Sequence, residues 1–253
     1  LNLPYKINGK STLIGQIDQT KNKYKLTARV PEIISGKNTF ENFSLLIDNF
    51  EKSLQLTSRM QMKTQKNTIN WYLLSSASAD SVSANMGWQN NSNITVAGEV
   101  QTLTKFTQKS GKINAHTFVK PTQIIINDSI WNVRKSDLIW KPDSSIAINN
   151  FRFESKNQFI HINGIASANA SDSMLVDMND LDLEYIFGLI NVKGIQIGGR
   201  ATGKMSLHNV LKEPIYLANL NVKGFSLNKH FIGDAVLGTS WNKTNKWRSE
   251  EHT

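Results

Sequence analysis

The second half of the chain repeats one pattern three times: apolar-x-apolar-x-x-apolar-x-apolar. It reads IAINNFRF (Ile146, Ile148, Phe151, Phe153), VDMNDLDL (Val176, Met178, Leu181, Leu183) and LNVKGFSL (Leu220, Val222, Phe225, Leu227). A fainter copy, LLIDNFEK (Leu45, Ile47, Phe50), lies in the first half and has Lys52 at its last apolar position. A period of two belongs to a strand. The one-residue slip in the middle of each copy would turn the second apolar pair onto the opposite face. A β-bulge absorbs one residue and restores the face. Each copy therefore predicts one long, bent strand with a single apolar side. A repeated bend with a constant apolar face predicts a sheet that curls around something apolar.

Nearly all of the chain reads as strands separated by Asn, Gly, Ser or Asp turns. The separators are short, Lys156-Asn157-Gln158 and Asn127-Asp128 among them. Short turns join antiparallel neighbours. The predicted fold class is all-β, a long curled antiparallel sheet forming an open groove, with one or two short helices. The long strands alternate clearly. Ala201, Gly203, Met205 and Leu207 share a side opposite Arg200, Lys204 and His208, and Tyr216, Ala218, Leu220 and Val222 oppose Ile215, Leu217, Asn219 and Asn221. The first helix is expected over 182–190. Leu183, Ile186, Phe187 and Ile190 fall on one helical face, with Asp182 as N-cap and Gly194 beyond the end. A weaker candidate surrounds Leu103 and Phe106, over 102–109.

Composition adds limits. Apolar residues make up 39% of 253, enough for a core, and no stretch reaches the roughly 18 to 20 consecutive apolar residues of a membrane-spanning helix. Cysteine is absent, which excludes disulfides and thiolate metal sites. The net charge is +9, but lysines such as Lys6, Lys10, Lys21, Lys105 and Lys112 are scattered singly. Scattered Lys suits solvated strand faces and protected edges and argues against a nucleic-acid partner. Attraction to anionic lipid headgroups is also compatible with it. The five His show no HxxxH or HExxH spacing, and no GxSxG, P-loop or GxGxxG is present. Asp177, Asp180, Asp182 and Glu184 alternate with apolar residues, so they read as a solvated face and a helix cap rather than an acid–base pair. The expectation is a protein that is not an enzyme, with no metal and no cofactor. Trp131, Trp140, Trp241 and Trp247 invite a sugar-stacking reading, against which Trp131 and Trp140 can simply pair across a hairpin.

The ordered series NDSIWNV, IAINNFRF, IHINGIAS, VDMNDLDLEYIFGLI, IQIGGRATGKMSL and EPIYLANLNVKGFSLN through IGDAVLGTSW resembles the translocation and assembly module family TamB in its Bacteroidetes form, within the AsmA-like group. The resemblance covers 121–247 and is weaker over 1–120, which reads as a β-rich groove segment of the same kind. The last six residues, RSEEHT (248–253), resemble the in-frame translation of a short-read sequencing adapter and are read as a non-native tail. With Leu1 rather than Met at the start, that predicts a fragment of a longer protein.

The resemblance implies a curled β-sheet, the β-taco, that crosses the periplasm from an N-terminal inner-membrane anchor. It implies phospholipid acyl chains as cargo and an Omp85-type outer-membrane partner, met through a region outside this chain. On it, Ile146, Ile148, Phe151, Phe153, Val176, Met178, Leu181, Leu220, Val222, Phe225 and Leu227 are the expected groove lining. Two other readings remain open: an outer-membrane β-barrel, and a secreted adhesin or glycan-binding β protein.

Overall fold

A computed structural model of the chain describes residues 5–36, 38–49, 53–63, 67–184, 196–240 and 248–252, with 240 and 248–252 as backbone only. The chain is all-β and divides into two compact units, Leu1–Asn132 and Val133–Thr253.

The first unit contains β1 (Lys6–Asn8), β2 (Thr12–Asp18), β3 (Lys23–Ser35), β4 (Asn38–Asp48), β5 (Leu54–Lys63), β6 (Thr68–Ser78), β7 (Ser81–Asn90), β8 (Val96–Lys109), β9 (Lys112–Val119) and β10 (Thr122–Ile126). Strand β11 (Ser129–Val133) crosses the boundary. Strands β2 to β9 form an antiparallel meander. Strand β1 pairs with the far end of β3, and β10 with the first residues of β8. The second unit is a second antiparallel meander of β12 (Ser136–Trp140), β13 (Ile146–Ser155), β14 (Gln158–Ala166), β15 (Ser173–Asp182), β16 (Ile197–His208), β17 (Ile215–Leu227), β18 (His230–Ser240) and β19 (Arg248–His252). Three hairpins turn through two residues that both have positive φ: Ser110-Gly111, Asn127-Asp128 and Asn228-Lys229. That conformation matches the right-handed twist of the flanking strands.

Each of the three strong sequence repeats carries its bulge where the slip predicts it. The register shifts between Ile148 and Phe151 on β13, between Met178 and Leu181 on β15, and between Val222 and Phe225 on β17. The residue before the second apolar pair is left-handed in every case: Asn150 at φ 56°, Asp180 at 47° and Gly224 at 62°. Asn, Asp and Gly are the residues that reach this region at least cost. The bulge leaves the backbone N–H of that residue outside the ladder. A side chain on the following strand accepts it each time: Asn150 N donates to Asn163 Oδ1 at 2.7 Å, Asp180 N to Thr202 Oγ1 at 2.9 Å, and Gly224 N to Asp234 Oδ1 at 2.8 Å. The repeat is thus a hairpin: a bulged strand followed by a strand that clasps its bulge.

Asp180 has a second hold. The Arg200 guanidinium meets its carboxylate with a two-pronged contact, Nε to Oδ1 and Nη2 to Oδ2, both 2.7 Å. Hydrogen bonding from Arg200 keeps the carboxyl below the usual carboxylate range. A depressed carboxylate supports the fold above its unfolded pKa and loses that support as pH falls through its folded one. Asp180→Ala is expected to cost about 1 to 2 kcal/mol, through strain at positive φ and loss of an exposed ion pair. Asp180→Gly should lose only the ion-pair part. Urea midpoints at neutral and acid pH check this: the gap between Asp180→Gly and the unaltered chain should close on acidification, and the gap to Asp180→Ala should persist.

Four expectations need correction. The faint first-half repeat is misplaced: Leu45 and Ile47 pair in step with Ser58 and Leu56, and Phe50 lies outside the described residues. The bulge of β4 sits earlier, between Glu41 and Ser44, with Asn42 at φ 54°. The local pattern is therefore Phe40-x-x-Phe43-x-Leu45, the same rule moved upstream. The second helix candidate, 102–109, is the end of β8, paired with β9 across Ser110-Gly111. A tight Ser-Gly turn and cross-strand partners outweigh the helical spacing of Leu103 and Phe106. Trp140 does not face Trp131 across a hairpin; it stands opposite Ile146 on β13. The segment 112–119, whose alternating side Ile113, Ala115, Thr117 and Val119 is only partly apolar, carries no strand expectation from its sequence and is nevertheless β9. Of the expected helix over 182–190, Leu183 and Glu184 are helical and 185–190 lies outside the described residues. Glu184 N donates to Asp182 Oδ1 at 3.0 Å, the bond an N-cap makes.

Candidate functional site

In an antiparallel pair, residues directly opposite share a face. Following the register across the second unit gives one uninterrupted apolar surface from β13 to β18. One row runs Phe151, Ile162, Val176, Met205, Ala218. The next runs Phe153, Ile160, Met178, Gly203, Leu220, Leu237. Beyond the bulges, Leu181, Ala201, Val222 and Ala235 stand in line, followed by Phe225 against Gly233. All eleven sequence-predicted lining residues fall on this face. The bulges cause this: without them Phe151, Leu181 and Phe225 would point to the other side.

Burial divides the set. Leu181 and Val222 are each 1% exposed, and Val176 and Met178 are buried with them. Ile146, Ile148, Phe151, Phe153, Leu220 and Phe225 are half-buried, and Leu227 is exposed. The face is closed at its middle and accessible at its margins. Sequence reasoning named only the repeat strands as lining. The face also takes Ile160, Ile162, Met174 and Leu237 from the clasp strands and the start of β15. The alternation in QFIHINGIA was a usable signal for the first two of these.

The opposite side of the second unit is mixed, with Leu175, Leu217 and Val236 among polar and charged residues. Arg152, His161, Asp177, Lys204 and Asn219 form one cross-strand row of mixed charge. Arg152 Nε donates to Glu154 Oε2 at 2.5 Å and Arg134 Nε to Oε1 at 2.6 Å. Hydrogen bonding from Arg152, followed by Arg134, holds the Glu154 carboxyl below the usual range. The Arg152 guanidinium also lies 4.1 Å from the centre of the Phe159 ring. His161 Nε2 meets Asn150 Oδ1 at 3.0 Å, beside the bulge, and His208 Nε2 meets Ser206 Oγ at 2.8 Å. The acidic residues around the second strong repeat are dispersed: Asp177 joins the polar row, Asp180 holds Arg200, and Asp182 caps Glu184.

The first unit repeats the one-sided design. Ala28, Leu45, Ser58, Leu73, Met86 and Val100 form one row, and Met60, Trp71, Trp88 and Gly98 another. Trp71 and Trp88 stack with ring centroids 5.4 Å apart. Trp88 also lies over Gly98, where a Cβ would come within 2.6 Å of its ring. This face is more open than that of the second unit. Met86 is 40% exposed, and on β2 Leu13 and Ile17 reach 72% and 78%. Of the tryptophans considered for sugar stacking, Trp131 is buried, Trp140 is exposed, and 241 and 247 lie outside the described residues.

Among the described residues no group of His, Asp or Glu is placed to hold a metal ion. Among them, too, no helix is long and apolar enough to cross a membrane. No family model, curated protein or solved structure matches the chain.

Proposed function

We propose that this chain is a noncatalytic section of a TamB-like protein that carries phospholipid acyl chains along the apolar faces of its sheets. The observation that carries the reading is the apolar surface running unbroken over β13 to β18, kept on one side by three clasped bulges. A sheet built only for stability has no need to hold so wide an apolar face at partial exposure. Acyl chains gain about 0.8 kcal/mol for each CH₂ removed from water, with no requirement for specific contacts. The half-buried Ile146, Ile148, Phe151, Phe153, Leu220 and Phe225 offer such contact, while Leu181 and Val222 form a closed floor. The ordered sequence resemblance over 121–247 adds the setting: the periplasm, an inner-membrane anchor and an Omp85-type partner reached through other parts of the protein.

The test is photo-crosslinking with a photoreactive residue at Phe151 or Phe225. Arg152 and Ser226, which occupy the alternate positions on the same strands, serve as controls. Cells expressing each variant are irradiated and adducts identified by mass spectrometry. The expected result is phospholipid adducts at the two Phe positions and none at the controls. Only intramolecular adducts at all four positions would mean a dry core and would end the conduit reading.

A further inference from the structure

The side of the first unit that carries Arg59, Tyr72 and Glu99 holds a concavity with a volume of about 760 Å³, lined also by Leu74 and Ala97. It lies over the middle of β5 to β8, whose strands are paired on both edges. Its floor is the cross-strand row Arg59, Tyr72, Gly87 and Glu99, bordered by Gln61, Asn70 and Gln89. Tyr72 lies flat. A Cβ on Gly87 would come 2.3 Å from its ring, so only glycine on the next strand lets the ring rest on the sheet. The ring is fixed there by its hydroxyl, which donates to Glu99 Oε2 at 2.6 Å. Glu99 also accepts from Gln101.

Amides surround the ring. Asn42 Nδ2 donates to Gln61 Oε1 at 3.0 Å, Gln61 Nε2 to Asn70 Oδ1 at 2.9 Å, and Asn70 Nδ2 to Asn91 Oδ1 at 3.2 Å. Each amide has two N–H donors and two acceptor lone pairs, so these single bonds leave most of its capacity unused. Asn85 Oδ1 is buried in the same place without a partner. A buried acceptor of this kind calls for a donor.

We propose that this concavity binds a saccharide chain, with Tyr72 as the stacking platform and Arg59, Asn70, Asn85 and Gln89 bonding its hydroxyls. A pyranose has an apolar C–H face and an equatorial belt of hydroxyls that both donate and accept. A flat, fixed aromatic ring bordered by amides is the complement of that shape, and the volume is within the roughly 300 to 1,000 Å³ of ligand sites. Other ligand classes fit less well. A polyanion without sugar rings would gain nothing from the Tyr72 face and would meet the Glu99 carboxylate, which lies in the same cross-strand row as Arg59. A peptide strand would need a free sheet edge, which the middle of β5 to β8 lacks. An acyl chain would favour the apolar face behind. The site therefore stands independently of lipid carriage and shares no side chain with the residues tested by crosslinking.

Calorimetric titration of the whole chain tests this with two probes, neutral chitotetraose and acidic tetragalacturonate. Saturable binding of at least one probe is expected. Tyr72→Ala should raise its Kd at least about tenfold, and Gln89→Leu about threefold. Gln89 is exposed, so its variant keeps the test valid should Tyr72→Ala fail to fold. Lys112→Ala, on β9 outside the concavity, should bind as the unaltered chain does. If tetragalacturonate binds tighter and Arg59→Gln selectively weakens it, Arg59 pairs with a sugar acid. If chitotetraose binds tighter, Arg59 serves hydroxyls; both results uphold the site. Saturable binding of neither probe, or unchanged affinity in Tyr72→Ala and Gln89→Leu, overturns it.

Discussion

Val222→Asp is expected to unfold the second unit. Val222 is 1% exposed and stands between Ala201 and Ala235, with Leu181 in the same line. No cation lies in that row, so the new carboxylate would be buried unpaired or protonated, at a cost of several kcal/mol. That is comparable to the whole margin of a domain, about 5 to 15 kcal/mol. Val222→Ala should cost only about 2 kcal/mol through the lost methyls and the space they leave. Hydrogen exchange gives the localisation: amides of β15 to β18 should lose protection in Val222→Asp, and those of β4 to β8 should keep it. The experiment also bears on function. Unchanged protection in Val222→Asp would mean that water or lipid already reaches the floor of the apolar face.

Gly203→Ala should be among the most damaging single-methyl changes at the described glycines. Gly203 has φ 147°, and a Cβ there would lie 2.1 Å from the Asn219 carbonyl oxygen on β17. The obstacle is backbone, so relief requires the two strands to separate at the residue next to the clasp Thr202. The expected loss is about 3 kcal/mol or more, combining backbone strain with broken pairing. Gly164, at φ 121° and beside the clasp Asn163, faces Ser173 O at 2.2 Å and should respond in the same way. Gly238 is the control: nothing lies within 4 Å of its Cβ position, and Gly238→Ala should be neutral or slightly stabilising, by at most about 1 kcal/mol. Urea midpoints of the three variants rank them. Equal midpoints for Gly203→Ala and Gly238→Ala would show that the clasp strands do not need glycine beside the bulge.

These two experiments separate two properties of one sheet. The first asks whether the apolar face is closed at its middle, and the second whether the bulge and its clasp hold that face on one side. Lipid carriage requires both, since a face that loses its bulges alternates sides and offers no continuous track.

The sequence by itself determined the all-β class, the antiparallel order, most strand positions and the three strong bulges. It could do so because each of these is local. Strand alternation has a period of two, tight turns need residues that tolerate positive φ, and a left-handed Asn, Asp or Gly announces itself within a few positions. It also put the eleven residues expected to line a groove on one face, because pleat and bulge together fix which way each side chain points. The misplaced repeat in β4 shows the limit. Phe40, Asn42 and Phe43 obey the same rule, but an apolar Leu45-Leu46-Ile47 run beside them matched the pattern seven residues downstream. Only the tertiary structure decided what depends on neighbours distant in sequence. The clasps of Asn163, Thr202 and Asp234 exist because of register between strands, and no spacing rule joins them to their bulges. Tyr72 becomes a platform only because Gly87 lies opposite it on β7, with Glu99 one strand further on β8. Leu181 is closed off while Phe151 and Phe225 are half-buried, although all three occupy the third apolar position of the repeat, because burial is set by the elements packed around a residue and not by the residue's own period.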